Sequence, residues 1–205
     1  MLASTSLALA ACAQQPSGPA PIGTDAPVLV PGEPGATART ATPGERLNRP
    51  PAEAVAADVR FAEAMIPHHR QALEMTSLVD ARTTTTSIRT TAGQIALAQR
   101  PEIRLMADWL TRLGRPVPGD HAHGAGRDYG MATAEELNRL RAARGPAFDR
   151  LFLELMVRHH EGAVKMAGEE LAGGQDQVMR LLARDVSTGQ TVEIARMRDL
   201  LRSLT

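Results

Sequence analysis

Slid by 91 residues without a gap, the sequence falls on itself. "DVRFAEAMIPHHRQALEM" (58–75) lies over "DRLFLELMVRHHEGAVKM" (149–166) with eight of eighteen positions identical. "QRPEIRLMADWLTRL" (99–113) lies over "QTVEIARMRDLLRSL" (190–204) with seven of fifteen identical, while the 23 positions between the windows match at three. Such self-similarity marks a duplicated supersecondary unit. Each copy reads as two amphipathic helices. The first pair is expected near 52–80 and 87–113, joined by the threonine-rich "TTTTS", and the second near 147–171 and 175–203, broken at the "GG" of 173–174. A short extra helix is expected from Thr133, where "TAEE" has the form of a capping box, to "RGP". No useful stretch alternates with period two, so no sheet is expected. Four long helices in two hairpins predict an all-α four-helix bundle over 52–205, with repeats at about 52–114 and 145–205 and a connector over 115–144.

The repeat also separates residues that drift from residues that do not. Apolar positions change, Ile66 against Val157 and Leu73 against Val164, as packing tolerates. The polar and sulfur-bearing pairs stay: Met65/Met156, His68/His159, His69/His160, Met75/Met166, Gln99/Gln190, Glu102/Glu193 and Met106/Met197. On a helical wheel, Met65, His69, Ala72, Phe61, His68 and Met75 fall side by side, with His69 at one edge and Met75 at the other. All six lie on an arc of about 120°, the width of a buried stripe. Taken singly, each residue fits core packing, but packing alone would have let Met become Leu. Adjacent histidines diverge by about 100° around the helix axis. Either both bend to one ion, or each copy holds one inner and one rim ligand.

"FAEAMIPHHRQALEM" and "QRPEIRLMADWL", with their second copies, carry a resemblance over about 58–204 to the bacterial family called domain of unknown function 305. The combination MxxHH…M with QxxEIxxM is specific. The resemblance implies a ferritin-like helical bundle, often exported, with some members looking like periplasmic copper binders.

The ligand chemistry is argued separately. Imidazole with thioether and no thiolate suits copper, Cu(I) above all, whereas zinc would recruit Cys or more carboxylate. The candidate metal ligands are therefore Met65, His68, His69, Met75 and Met106, with Met156, His159, His160, Met166 and Met197. Gln99, Glu102, Gln190 and Glu193 share a face with Met106 or Met197 and are ligands or partners of ligands. Glu102 is expected to bind metal, to accept a histidine Nδ1–H, or to pair with an arginine. Pro67 and Pro101 sit inside helices of the first copy only and should each free a carbonyl and kink the helix. Trp109 reads as core. His121 and His123, in "GDHAHG", read as a solvated loop or a mobile donor that passes on an ion.

The N-terminus points outside the cytoplasm. "LALAAC" (7–12) resembles a lipoprotein signal in which Leu9, Ala10 and Ala11 form the lipobox and Cys12 takes the lipid, although no Lys or Arg precedes it. Residues 13–51 hold nine of the fourteen prolines and read as a disordered tether. The expected partners are a metal ion, a copper-handling protein and, through the anchor, a membrane.

Other classes fit less well. Lys+Arg equal Asp+Glu at 23 each, which gives no basic field for nucleic acid. The single cysteine excludes an intrachain disulfide and CxxC chemistry. No Glu lies three residues before any His, against a di-iron enzyme, and no GxSxG elbow is present. The expectation is an extracytoplasmic copper-binding protein for storage, delivery or protection. The alternatives are a metal-free structural bundle and a metal-dependent redox enzyme.

Overall fold

A computed structural model describes residues 29–30, 37–40, 54–119 and 129–204. The chain divides into two compact units, residues 1–50 and 51–205. The described part of the first unit is one antiparallel pair, β1 (Leu29–Val30) and β2 (Arg39–Thr40), in register Leu29 to Thr40 and Val30 to Arg39. The expectation of no sheet rested on the lack of period-two alternation. Two residues per strand are too few to display a period of two in the sequence.

The second unit is all-α in its described residues. Helix α1 (Ala56–Ser77) is followed by the single turn α2 (Val79–Arg82), then by α3 (Thr86–Arg112). The short α4 (Ala134–Ala142) lies between the copies, and α5 (Gly145–Gly173) and α6 (Gln177–Ser203) complete the second. Local chemistry sets the ends. Thr133 Oγ1 accepts from the Glu136 amide at 3.2 Å while Glu136 Oε2 accepts from the Thr133 amide at 2.8 Å, the expected capping box. Asp176 Oδ1 caps α6 by accepting from the amides of Val178 and Met179. Helices α1 and α3 continue through Pro67 and Pro101. No helix among the described residues is long and apolar enough to cross a membrane.

The helices pack α1 on α3, α5 on α6 and α1 on α5. Their buried faces form two apolar clusters. One takes Ala72 and Met75 from α1, Ile88 and Ile95 from α3, Phe148, Phe152 and Met156 from α5, and Met197 from α6. The other takes Phe61 and Met65 from α1, Met106 and Leu110 from α3, Met166 from α5, and Met179 and Val186 from α6. Each fully buried Leu, Ile, Phe or Met is worth about 1.5–3 kcal/mol, so the clusters carry the fold. What lies between them is the part that needs explaining.

Candidate metal centre

Along every long helix, the residues between the two clusters are the polar members of the repeat. They are His68 and His69 on α1, Gln99 and Glu102 on α3, His159 and His160 on α5, and Gln190 and Glu193 on α6. The four imidazoles and both glutamines are buried. The two glutamates keep side chains 21% exposed, at the rim of this layer.

The duplication closes on itself at the layer. The rings of His68 and His159 stack, with centroids 3.6 Å apart and planes at 29°. Their sequence neighbours turn away, with His68 and His69 centroids 6.4 Å apart and those of His159 and His160 6.3 Å apart. His69 Nε2 donates to Glu102 Oε2 at 2.7 Å, and His160 Nε2 donates to Glu193 Oε2 at 2.8 Å. Of the roles open to Glu102, the partner of a histidine is the one found, but through Nε2 rather than Nδ1. Nε2 is the nitrogen farther from its own backbone, and it spans the gap from α1 to α3. Because an ionised carboxylate only accepts, the proton sits on Nε2, and in the neutral ring the lone pair is left on Nδ1.

His68 has the same tautomer for another reason. Its Nε2 donates to the carbonyl of Tyr129 at 3.0 Å. Burial, followed by the neighbouring His69, pushes its pKa down to about 3, so the ring is neutral at any ordinary pH. Burial and the facing His68 hold His159 well below the usual imidazole range. Neutral imidazole is the ligating form.

Satisfied hydrogen bonding is the rule for buried polar atoms, and this layer departs from it. Nδ1 of His68, His69 and His160, both ring nitrogens of His159, and both amide atoms of Gln99 and Gln190 have no partner. Each such group costs about 1–3 kcal/mol when left unpaired. A concentration of lone pairs in one buried layer fits a ligand that accepts electron density. Among the described residues no three or more His, Cys, Asp or Glu side chains converge to hold an ion.

The repeated methionines are sorted across the copies. Met65 and Met106 of the first copy share a cluster with Met166 of the second, and Met156 and Met197 of the second share the other with Met75 of the first. Met65 and Met156 lie three residues, about one helical turn, before His68 and His159. Sequence spacing had grouped Met75 with His68 and His69. In the fold Met75 also shares its cluster with Met156 and Met197 of the other copy. Trp109 is core, as expected. Cys12, His121 and His123 lie outside the described residues.

Sequence reasoning missed the residues that cover the layer. Gln71 Nε2 donates to the Ala132 carbonyl at 2.9 Å, and its Oε1 accepts from the Ala132 amide at 2.6 Å. The repeat held a signal for it. Inside the best-matching window Gln71 faces Gly162 and Pro67 faces Arg158, pairs that agree in neither size nor polarity.

Solved structures share this fold. A DUF305 fragment from Deinococcus radiodurans is 33% identical, with 75% of this chain and 99% of that one covered at a TM-score of 0.68. A DUF305 protein of Streptomyces coelicolor, described as secreted, is 33% identical, with 72% and 93% covered at a TM-score of 0.66. CopM in its Cu(II)-bound form is 28% identical, with 72% and 97% covered at a TM-score of 0.64, and its Cu(I)-bound form gives a TM-score of 0.60 at the same identity. No curated protein matches the chain. The signature of the family described as a domain of unknown function (DUF305) matches residues 58–201, and the chain belongs to that family.

Proposed function

We propose that this protein is an extracytoplasmic copper-binding protein, a ferritin-like four-helix bundle that stores copper, delivers it or keeps it from doing harm. The observation that carries this reading is the buried layer of unpartnered imidazole nitrogens between two apolar clusters that each hold three of the repeated methionines. Nitrogen and thioether donors without net charge favour Cu(I), which takes few, soft ligands. His68, His69, His159 and His160 would supply imidazole, and Met65, Met106 and Met166 with Met75, Met156 and Met197 would supply sulfur. Glu102 and Glu193 hold the outer histidines in the tautomer that presents Nδ1. The copper-bound forms of CopM support the choice of metal. The secreted Streptomyces relative supports export, with lipidated Cys12 as the anchor to the membrane and a copper-handling protein as donor or acceptor.

The test is retention. The full chain is loaded anaerobically with Cu(I) or Zn(II), dialysed against a chelator of moderate affinity for both ions, and assayed for metal. Copper retained with zinc lost is the expected result. Equal retention of both, or of neither, overturns the reading. A metal-free bundle would also leave no reason for seven methionine, histidine, glutamine and glutamate pairs to survive the duplication.

A further inference from the structure

The duplication relates α1 to α5, so the face where these helices meet relates to itself, and the stacked His68 and His159 lie on it. One short piece of chain crosses that face. Residues 129–132, in the connector just before α4, lie between α5 and α1 and are held by unlike residues on the two sides. On α1, His68 Nε2 donates to the Tyr129 carbonyl and Gln71 makes two bonds to the Ala132 backbone. On α5, Arg158 donates to the carbonyls of Gly130 and Met131 and grips Glu136 of α4 at 2.6 and 2.8 Å. The approach is close. A Cβ on Gly162 would stand 1.6 Å from the Tyr129 carbonyl oxygen, and a Cβ on Gly130, whose φ is +72°, would meet the Arg158 carbonyl oxygen at 2.2 Å. Gln71 and Gly162 are equivalent positions of the repeat, and one supplies hydrogen bonds to the crossing segment while the other makes room for it.

The geometry points to residues 129–132 as a strap that gates the imidazole layer: solvent and metal reach His68 and His159 when the strap leaves the α1–α5 groove, and the Tyr129 carbonyl fixes the His68 ring when it returns. The inference rests on the copper reading and adds its route of exchange. The strap makes the two halves of the layer unequal. It bonds Nε2 of His68, which leaves that ring its Nδ1 lone pair, and makes no bond to the ring of His159.

Two measurements on the full chain test it. Cu(I) is presented as a coloured bicinchoninate complex and its loss is followed by stopped flow. In parallel, diethyl pyrocarbonate labelling of His68 and His159 is timed by peptide mass spectrometry without any metal. The variants are Gln71→Ala, which removes two strap bonds, Gly162→Ala, which wedges the strap outward, and Leu97→Ala on exposed α3 as a control. Gln71→Ala should take up Cu(I) about tenfold faster, since two bonds that must break on opening are already gone, at unchanged stoichiometry. Its two histidines should be labelled faster by a similar factor, and Leu97→Ala should match the parent. If Gly162→Ala fails to fold, Gln71→Ala decides alone. Parent-like uptake and labelling in folded Gln71→Ala overturn the gate. Faster labelling in a protein that takes no Cu(I) upholds the gate and removes the copper reading, so the two failures are distinguishable.

Discussion

Among single residues, Glu170 shows best how a buried carboxyl changes stability with pH. It is 1% exposed, faces the fully buried Asp58 and has no counterpart in the first copy, where Val79 stands. Burial pushes its pKa up to about 8, the hydrogen bond and charge of Asp58 and the charge of Asp176 add to that, and Arg180 offsets part. Asp58 moves the other way. Burial would raise it, but the bond from Glu170 and the amides of Asp176, Val55 and Gln175 outweigh burial and lower it. The folded state thus holds a proton on Glu170 that the unfolded state releases above an ordinary 4.5, and stability must fall as pH rises from there through about 8. Asp58 acts at the acid end, losing its contribution as pH drops below 3.8. Between pH 5 and 9 the melting midpoint should fall by roughly 5 °C or more, as 1 kcal/mol is worth ~2–4 °C in a domain this size. Glu170→Gln keeps a donor toward Asp58 without the titration, and its midpoint should be nearly flat over that range in differential scanning calorimetry. An unchanged slope in the variant would refute the assignment. Nothing in the sequence marks Glu170, because a Glu pair near a helix end reads as a solvated face. The histidines stood out because both copies keep them at one spacing.

For the helices, periodicity and punctuation were enough. The capping box at Thr133, the "GG" that ends α5 and the threonine run before α3 all stand where local chemistry placed them. What local chemistry could not supply was the partner of each element, since antiparallel packing of α1 on α5 trades methionines between the copies. Nor could it show what a side chain at the second glycine of the "GG" would meet. A Cβ on Gly174 would lie 2.0 Å from Glu170 Oε1 and 2.6 Å from Asp58 Oδ1, so the carboxyl pair fills the space that a side chain would take at this corner. Gly174→Ala should cost about 1–3 kcal/mol in urea unfolding, as overpacking does. Gly93→Ala in α3 and Gly168→Ala in α5 meet nothing within 4 Å and should each stabilise by about 0.5–1 kcal/mol. If Gly174→Ala proved as harmless as these two, the carboxyls would not occupy that corner in solution.

At the scale of the whole molecule the question is whether duplication made two sites or one. Two independent sites require each copy to gather its own ligands. The stacking of His68 on His159 and the sharing of each methionine triplet between copies favour a single centre built by both. Replacing His159 and His160 together by Asn separates the cases. Independent sites predict the loss of about half the bound Cu(I), because Met65, His68 and His69 would still bind. A joint centre predicts the loss of nearly all of it, because both copies would supply ligands to one ion. Asn is smaller than imidazole and leaves an amide in a buried layer, so a cost of about 1–3 kcal/mol accompanies the change in either case. Circular dichroism must therefore show the parent's helix content before metal is counted. Loss of half the copper from a folded variant rules out the joint centre. Unchanged copper, unchanged again when His68 and His69 are also replaced, would return all four histidines to the core and leave the methionines as the metal's only hold.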